Sequence, residues 1–234
     1  MKIVLEDVSK NYKDVPALQG IHLEINSGEI FGLLGANGAG KSTTINLLLG
    51  MEAPNKGKVT VGGLDPFLHR SEVNRQTGYI PENVHLYPYL SGLENLDYFN
   101  RMAGIKMKND EMEQTLLACG LDSVHFRKRT GSYSKGMRQK IAIAIAMAKN
   151  AKLYLLDEPA SGLDPLASNE LSELLKKLSE AGSTIVMASH DIFRVKETCH
   201  KIGILKKGEL LAVIDSAAIS PNDLERLYLN YMKN

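Results

Sequence analysis

The run Gly35-Ala36-Asn37-Gly38-Ala39-Gly40-Lys41-Ser42 satisfies G-x-x-x-x-G-K-[ST] at every fixed position. An apolar stretch, Ile30 to Leu34, precedes it and reads as a buried strand. Ser42 to Leu49 follows and opens a helix. The first backbone N–H groups of a helix have no intrahelical partner, so a glycine-rich turn leading into one forms a cradle for phosphate. Glycines remove the Cβ atoms that would keep the anion away, Lys41 can reach the outer phosphates, and the Ser42 hydroxyl can ligate Mg²⁺. A chance match is expected in about one unrelated chain in a hundred of this length. The strand on one side and the helix on the other make nucleotide binding the reading to carry forward.

The remaining elements suit an α/β fold. Ile3 and Leu5, Ile21, Leu23 and Ile25, and Val59 and Val61 alternate as strands of a small antiparallel sheet beside the phosphate-loop strand, giving a mixed N-terminal sheet. From Ser91 the period becomes helical. Ser91 and Glu94 spell a capping box, and Leu93, Leu96, Phe99 and Met102 fall on one face. A second helix begins near Asn109, carries Met112, Leu116 and Leu117, and stops at Gly120. Ile141 to Met147 alternates with alanine as a strand would. Alanine is a poor strand former, however, and Met137, Ile141 and Ile145 are four apart, so the spacing predicts a helix over 134–149. Leu153–Leu156 and Thr184–Ala188 then read as parallel strands joined by a helix capped by Asp164, with Pro165 at its first position. A hairpin over 202–214 turning at Lys207-Gly208, and a helix capped by Ser220 and Pro221, complete the chain.

With 234 residues, 44% of them hydrophobic, and a formal charge of +1, the chain supports a large core and lacks the basic surplus of a nucleic-acid binder. Its two cysteines, Cys119 and Cys199, have neither C-x-x-C spacing nor a histidine cluster, so neither a zinc site nor a disulfide framework is suggested. Glu6, Asp7, Lys10, Lys13 and Asp14 argue against a signal peptide, and no apolar run approaches a membrane span. The expectation is a chain soluble in isolation, in a reducing compartment, whose membrane work, if any, runs through another polypeptide.

The chemistry centres on Leu153-Tyr154-Leu155-Leu156-Asp157-Glu158, an apolar strand ending in two carboxylates at the edge where a parallel sheet opens on its ligand. Asp157 can share a Mg²⁺ with Ser42, and Glu158 can polarise a water in line with the γ-phosphate. With these residues in place the chain resembles the nucleotide-binding subunits of ABC-type transporters over nearly its whole length. Tyr133-Ser134-Lys135-Gly136-Met137-Arg138-Gln139 is similar to the family signature. Ser161-Gly162-Leu163-Asp164 is similar to the D-loop, Ile80-Pro81-Glu82 stands at the Q-loop, and His190 at the switch histidine.

The resemblance implies a P-loop ATPase core with a mostly parallel sheet over 1–87 and 151–234, an antiparallel β subdomain, and a helical subdomain over 88–150. It implies ATP and Mg²⁺ as cofactors. Gly35 to Ser42, with Thr43, would hold the nucleotide, Ser42, Asp157 and Glu82 the metal, and Glu158 and His190 would act in catalysis. Tyr12 would stack on the base, although a core-facing strand aromatic is a comparable reading of it. Ser134, Lys135, Gly136 and Met137 would act on the ATP of a second copy or a homologous subunit. A plain helix cap is the alternative for Ser134. Two departures stand out: Lys135 replaces the first glycine of the usual LSGGQ and Met137 its glutamine, and Glu82 replaces the glutamine of the Q-loop. Both are similar to the exporter branch in which ATPase and membrane permease are separate chains, which would set the protein on the cytoplasmic face of a membrane with residues 82–91 docking the permease. A soluble ABC-type ATPase of an assembly complex is the rival reading.

Overall fold

A computed structural model describes residues 1–233 and divides the strands between two sheets. In the first, β1 (Ile3–Tyr12) lies between β2 (Val15–Ile25) and β4 (Lys56–Val61), with both pairings antiparallel. The second contains β3 (Ile30–Leu34), β5 (Thr77–Ile80), β6 (Leu153–Asp157), β7 (Thr184–Ser189), β8 (Lys201–Lys206) and β9 (Glu209–Asp215) in the order β5-β6-β7-β3-β8-β9. Every pairing in it is parallel except β8 with β9. The antiparallel β subdomain expected above is present, and the expectation that its strands mix with the phosphate-loop strand is corrected. The antiparallel strands form a sheet of their own, because β3 is paired on both sides by β7 and β8 and has no edge left for β2. The sheets meet through β2, where Gln19 donates its backbone N–H to the Gly208 carbonyl and its side-chain amide to that of Lys207, both at 2.8 Å.

Period-two alternation builds the core on both faces of the second sheet. Ile30 and Leu34, Tyr154 and Leu156, and Ile185 and Met187 pack into one cluster with the helices. Phe31 and Leu33, Leu153 and Leu155, and Val186 and Ala188 face the other way, onto α1 (Lys41–Leu48) and the antiparallel sheet. A sheet covered on both sides reads as continuous apolar runs, as these strands do.

Three helices, α3 (Gly92–Met102), α4 (Asn109–Ala118) and α5 (Lys135–Ala148), lie between the short α2 (Arg70–Arg75) with β5 and the carboxylate strand β6. The capping box of α3 is present: Ser91 accepts from Glu94 N–H and Glu94 accepts from Ser91 N–H. Its buried face differs from the expected one. Leu93 and Leu96 are inside with Asn95 and Asn100, whereas Phe99 is only half-buried and Met102 is 70% exposed. On α4, Met112 and Leu116 are buried and Leu117 is exposed. The alternating segment is the helix α5. It buries Ile141, Ile143, Ala144 and Ala146 because β5, α3 and α4 surround it on several sides, which explains why its sequence shows no clean helical stripe.

Beyond β6, α6 (Pro165–Glu180) is capped by Asp164, which accepts from Ala167 N–H, and buries Leu171, Leu174, Leu175 and Leu178 as expected. Helix α7 (Ile192–Thr198), capped by Asp191, follows β7. Lys207 and Gly208, both at positive φ, turn the β8–β9 hairpin. The Ser220 hydroxyl caps α8 (Pro221–Lys233) by accepting from Asp223 N–H.

Candidate functional site

The carboxyl ends of β3 and β6 and the first turn of α1 meet at a cleft of 360 Å³ lined by Tyr12, Val15, Pro16, Ala17, residues 36–43, Glu82, Asp157 and Glu158. The loop can fold this tightly because of its glycines. Gly40 caps α1 at φ 109°, and a Cβ there would meet the Ala17 carbonyl oxygen at 2.7 Å. At Gly35 a Cβ would lie 2.5 Å from the Leu205 carbonyl oxygen. Any larger residue at either position would open the cradle.

Lys41 is 6% exposed, and its ammonium is fully engaged inside the loop. It donates to the carbonyls of Gly35 at 2.6 Å and Ala36 at 3.2 Å, and pairs with Glu158 Oε1 at 3.2 Å. The second oxygen of Glu158 accepts from His190 N–H at 3.3 Å and lies 2.9 Å from His190 Nδ1. Glu158 itself is a non-glycine residue at φ 46°, a backbone conformation that costs on the order of 1 kcal/mol and tends to mark functional positions. His190 stands just beyond β7, is half-exposed, and reaches the cleft through Glu158 rather than lining it.

Burial pushes the Asp157 carboxyl above its ordinary range. The Ser42 hydroxyl and Lys41 act against that, while Glu158 and Glu82 add to it. Such a site gains from a cation. Among the described residues no three His, Cys, Asp or Glu side chains converge as a metal cluster. Mg²⁺ favours one or two carboxylates, a hydroxyl, waters and substrate phosphate oxygens over an all-protein cage. Ser42, Asp157 and Glu82 fit that donor set.

Tyr12 is 42% exposed at the end of β1 and lines the cleft, so the core-facing reading does not hold. Sequence reasoning missed what fixes it. Its hydroxyl donates to Glu52 Oε1 at 2.7 Å, while Lys10 pairs with Glu52 Oε2 at 2.9 Å and lies 5.5 Å from the ring centroid. Burial and Glu52 both raise the Tyr12 pKa, keeping the phenol protonated and donating.

Ser134, Lys135, Gly136 and Met137 do not line this cleft. The Ser134 hydroxyl caps α5 by accepting from Met137 N–H at 3.2 Å, so the plain capping role is realised within the chain. Gly136 is buried against α6, where a Cβ would lie 3.3 Å from that of Ala167 and 3.6 Å from the Leu163 side chain. The 161–164 loop thereby packs on the signature helix. Ser161 donates to Glu82 Oε1 at 3.1 Å, which joins this loop to the cleft mouth.

Known proteins share this chain's sequence pattern and fold. Residues 18–161 match the family model described as ABC transporter. The chain is similar to the ABC transporter ATP-binding protein YhcH of Bacillus subtilis, at 38% identity over 231 residues, covering 95% of this chain and 74% of that protein. It is also similar to the linearmycin resistance ATP-binding protein LnrL of Bacillus subtilis (34% identity, 89% of this chain, 67% of that one). The bacitracin transport ATP-binding protein BcrA of Bacillus licheniformis stands at 34%, 89% and 68%. Among solved structures, cbiO1 of Clostridium perfringens, part of the ABC transporter complex cbiONQ, superposes with a TM-score of 0.85 at 26% identity over 98% of this chain and 94% of that one. A dimeric ATP-binding cassette in a post-hydrolysis state with ADP and Pi gives 0.80 at 28% identity over 92% and 98%. The chain belongs to the ABC transporter family, as an ATP-binding subunit with ATPase activity.

Proposed function

We propose that this subunit energises export through a separate membrane permease, and that two ATPase chains close over ATP with each signature segment completing the other's site. The observation that carries the reading is the position of Ser134 to Met137. They sit at a helix N-terminus suited to an anion, yet outside the cleft of their own chain. Export is supported by relatives named for linearmycin resistance, bacitracin transport and Nod factor export. Among the described residues no helix is long and apolar enough to cross a membrane, so the spans would belong to the permease. Residues 1–87 and 151–234 would act as the catalytic core and 88–150 as the signature-bearing unit.

The phosphates would lie on the N–H groups of residues 36–43, with the base against Tyr12. Incoming phosphate oxygens replace the Gly35 and Ala36 carbonyls and Glu158 as partners of Lys41. Glu158, released from that pair and oriented by His190, can then accept a proton from the attacking water. Ser42, Asp157 and Glu82 would hold Mg²⁺, which supplies charge neutralisation on the β- and γ-phosphates. The 82–91 segment, with Tyr87 and Tyr89 exposed, would dock the permease.

The test is affinity capture of the tagged chain from detergent-solubilised membranes, with mass spectrometry of what co-purifies. A stoichiometric multi-span protein is the expected partner. Recovery of soluble partners alone would replace this reading with that of an assembly ATPase.

A further inference from the structure

The two charged departures from the usual family pattern, Glu82 and Lys135, meet in space. Glu82 stands at the cleft mouth just beyond β5, and Lys135 is the first residue of α5. Lys135 Nζ lies 4.0 Å from Glu82 Oε1, the oxygen that also accepts from the Ser161 hydroxyl at 3.1 Å. The lysine stem runs beside the 161–164 loop, where a Cβ on Gly162 would lie 3.9 Å from its Cδ and Nζ. One carboxylate oxygen therefore ties together three segments distant in sequence, while among the described residues no partner faces Oε2.

A glutamine at position 82 would bring no charge. A glutamate adds a third carboxylate, beside Asp157 and Glu158, around the place where a triphosphate would sit. Among groups lining one cleft that repulsion counts even near the surface. Lys135 is the cation placed against it.

We propose that Lys135 is a positioning residue for the ATP site of its own chain: together with Ser161 it holds Glu82 by Oε1 and offsets its charge, so that the phosphates do not meet a third, uncompensated carboxylate beside Asp157 and Glu158. The inference rests on the reading of the cleft as the ATP site. The glutamate and the lysine are thus one compensated pair, and the glutamate without the lysine is worse than both or neither.

The test is a double-mutant cycle on Lys135→Met, Glu82→Gln and the double variant, with Lys135→Arg as the conservative control. Two quantities are read: equilibrium affinity for ATP in EDTA, at chain concentrations too low to dimerise, and KM and kcat for MgATP. Lys135→Met is expected to weaken ATP binding about two- to fivefold, the range of a partly exposed charge pair, and Lys135→Arg to restore it. In the Glu82→Gln background the same lysine substitution should leave the ATP affinity of the undimerised chain unchanged, and the penalty in the native background should shrink in high salt. An equal affinity penalty in both backgrounds would overturn the proposal, because Lys135 would then act on ATP binding without Glu82. If Lys135→Met fails to fold, the salt dependence of ATP affinity in the native chain against Glu82→Gln carries the decision, with identical slopes counting against the pair. Lys41→Ala separates the two levels of inference. Unchanged ATP affinity in that variant would remove the ATP-site reading itself, whereas lost affinity with an additive cycle would remove only the role of Lys135.

Discussion

Asp157 shows how far this site is tuned away from stability. Its carboxyl is raised by burial first and by neighbouring carboxylates after that, so the folded state binds the proton more readily than the unfolded chain does. The sign follows directly. The contribution favours folding below the ordinary aspartate value of 3.8 and is lost as pH rises through the folded value, leaving the ionised group a net cost at neutral pH. Asp157→Asn keeps the shape and removes the charge. In nucleotide-free protein at pH 7 it should raise Tm by about 2–4 °C, with the gain fading as the pH falls toward 3.8, while ATP hydrolysis is lost. A calorimetric pH series would check this, and an Asn variant that melts lower at neutral pH would contradict it. Glu158 pairs with both Lys41 and His190 from a left-handed backbone, a second cost accepted at the same site.

At the scale of elements, Asn95 shows what a buried polar side chain on a helix can do. It is fully buried in α3, accepts from Tyr87 N–H at 2.8 Å, and donates to the carbonyls of Tyr87, Leu90 and Ser91 and to the Thr130 hydroxyl. One amide thus clamps the 87–91 turn, on which Tyr87 stacks edge-on against Tyr98 at 4.6 Å. Asn95→Ala should cost about 2–3 kcal/mol, because it orphans Tyr87 N–H and loosens the turn. If a permease docks at residues 82–91 as proposed, ATPase activity of the isolated chain should survive while coupled transport fails; full transport by this variant would dissociate the turn from coupling. None of this was visible in the sequence, where Asn95 breaks an apolar stripe that was extended wrongly to Phe99 and Met102. The legible parts were those whose cause is local. The phosphate loop needs its glycines in consecutive order, α6 carries its own cap and stripe, and the hairpin turn is written in Lys207-Gly208. Tyr12 was legible as an aromatic, but its support was not, since Glu52 and Lys10 become partners only once β1 and β4 pair and bring the 50–55 loop across. The antiparallel sheet was legible, but its separation from the phosphate-loop strand was hidden for the same reason: a strand's alternation states which face is buried and not which neighbour it has.

For the whole molecule the decisive quantity is how many chains make one site. Lys41, Asp157, Glu158 and Tyr12 converge within a single chain, whereas Ser134 and Gly136 stand off the cleft and are already used locally, one as a helix cap and the other as a contact with α6. If capping were their whole role, changing Ser134 would only cost the roughly 1 kcal/mol of a lost N-cap. If they also meet a second copy's nucleotide, the change removes association. A Glu158→Gln chain, which retains the phosphate loop but lacks the proposed base, should bind ATP without turning it over and elute as a dimer in ATP and as a monomer without it. Adding Ser134→Arg should leave ATP affinity at monomer concentrations within about twofold, since the residue lies outside its own cleft, yet abolish the ATP-dependent dimer by setting a bulky side chain at a two-fold contact that appears twice. Size-exclusion with light scattering reads the state directly. A dimer that persists in the double variant would confine Ser134 to its cap and require each cleft to be complete in one chain. Loss of the dimer with intact ATP binding would make the closed pair the catalytic unit, and would explain why a helix of fourteen residues presents its N-terminus where its own chain has no anion to receive.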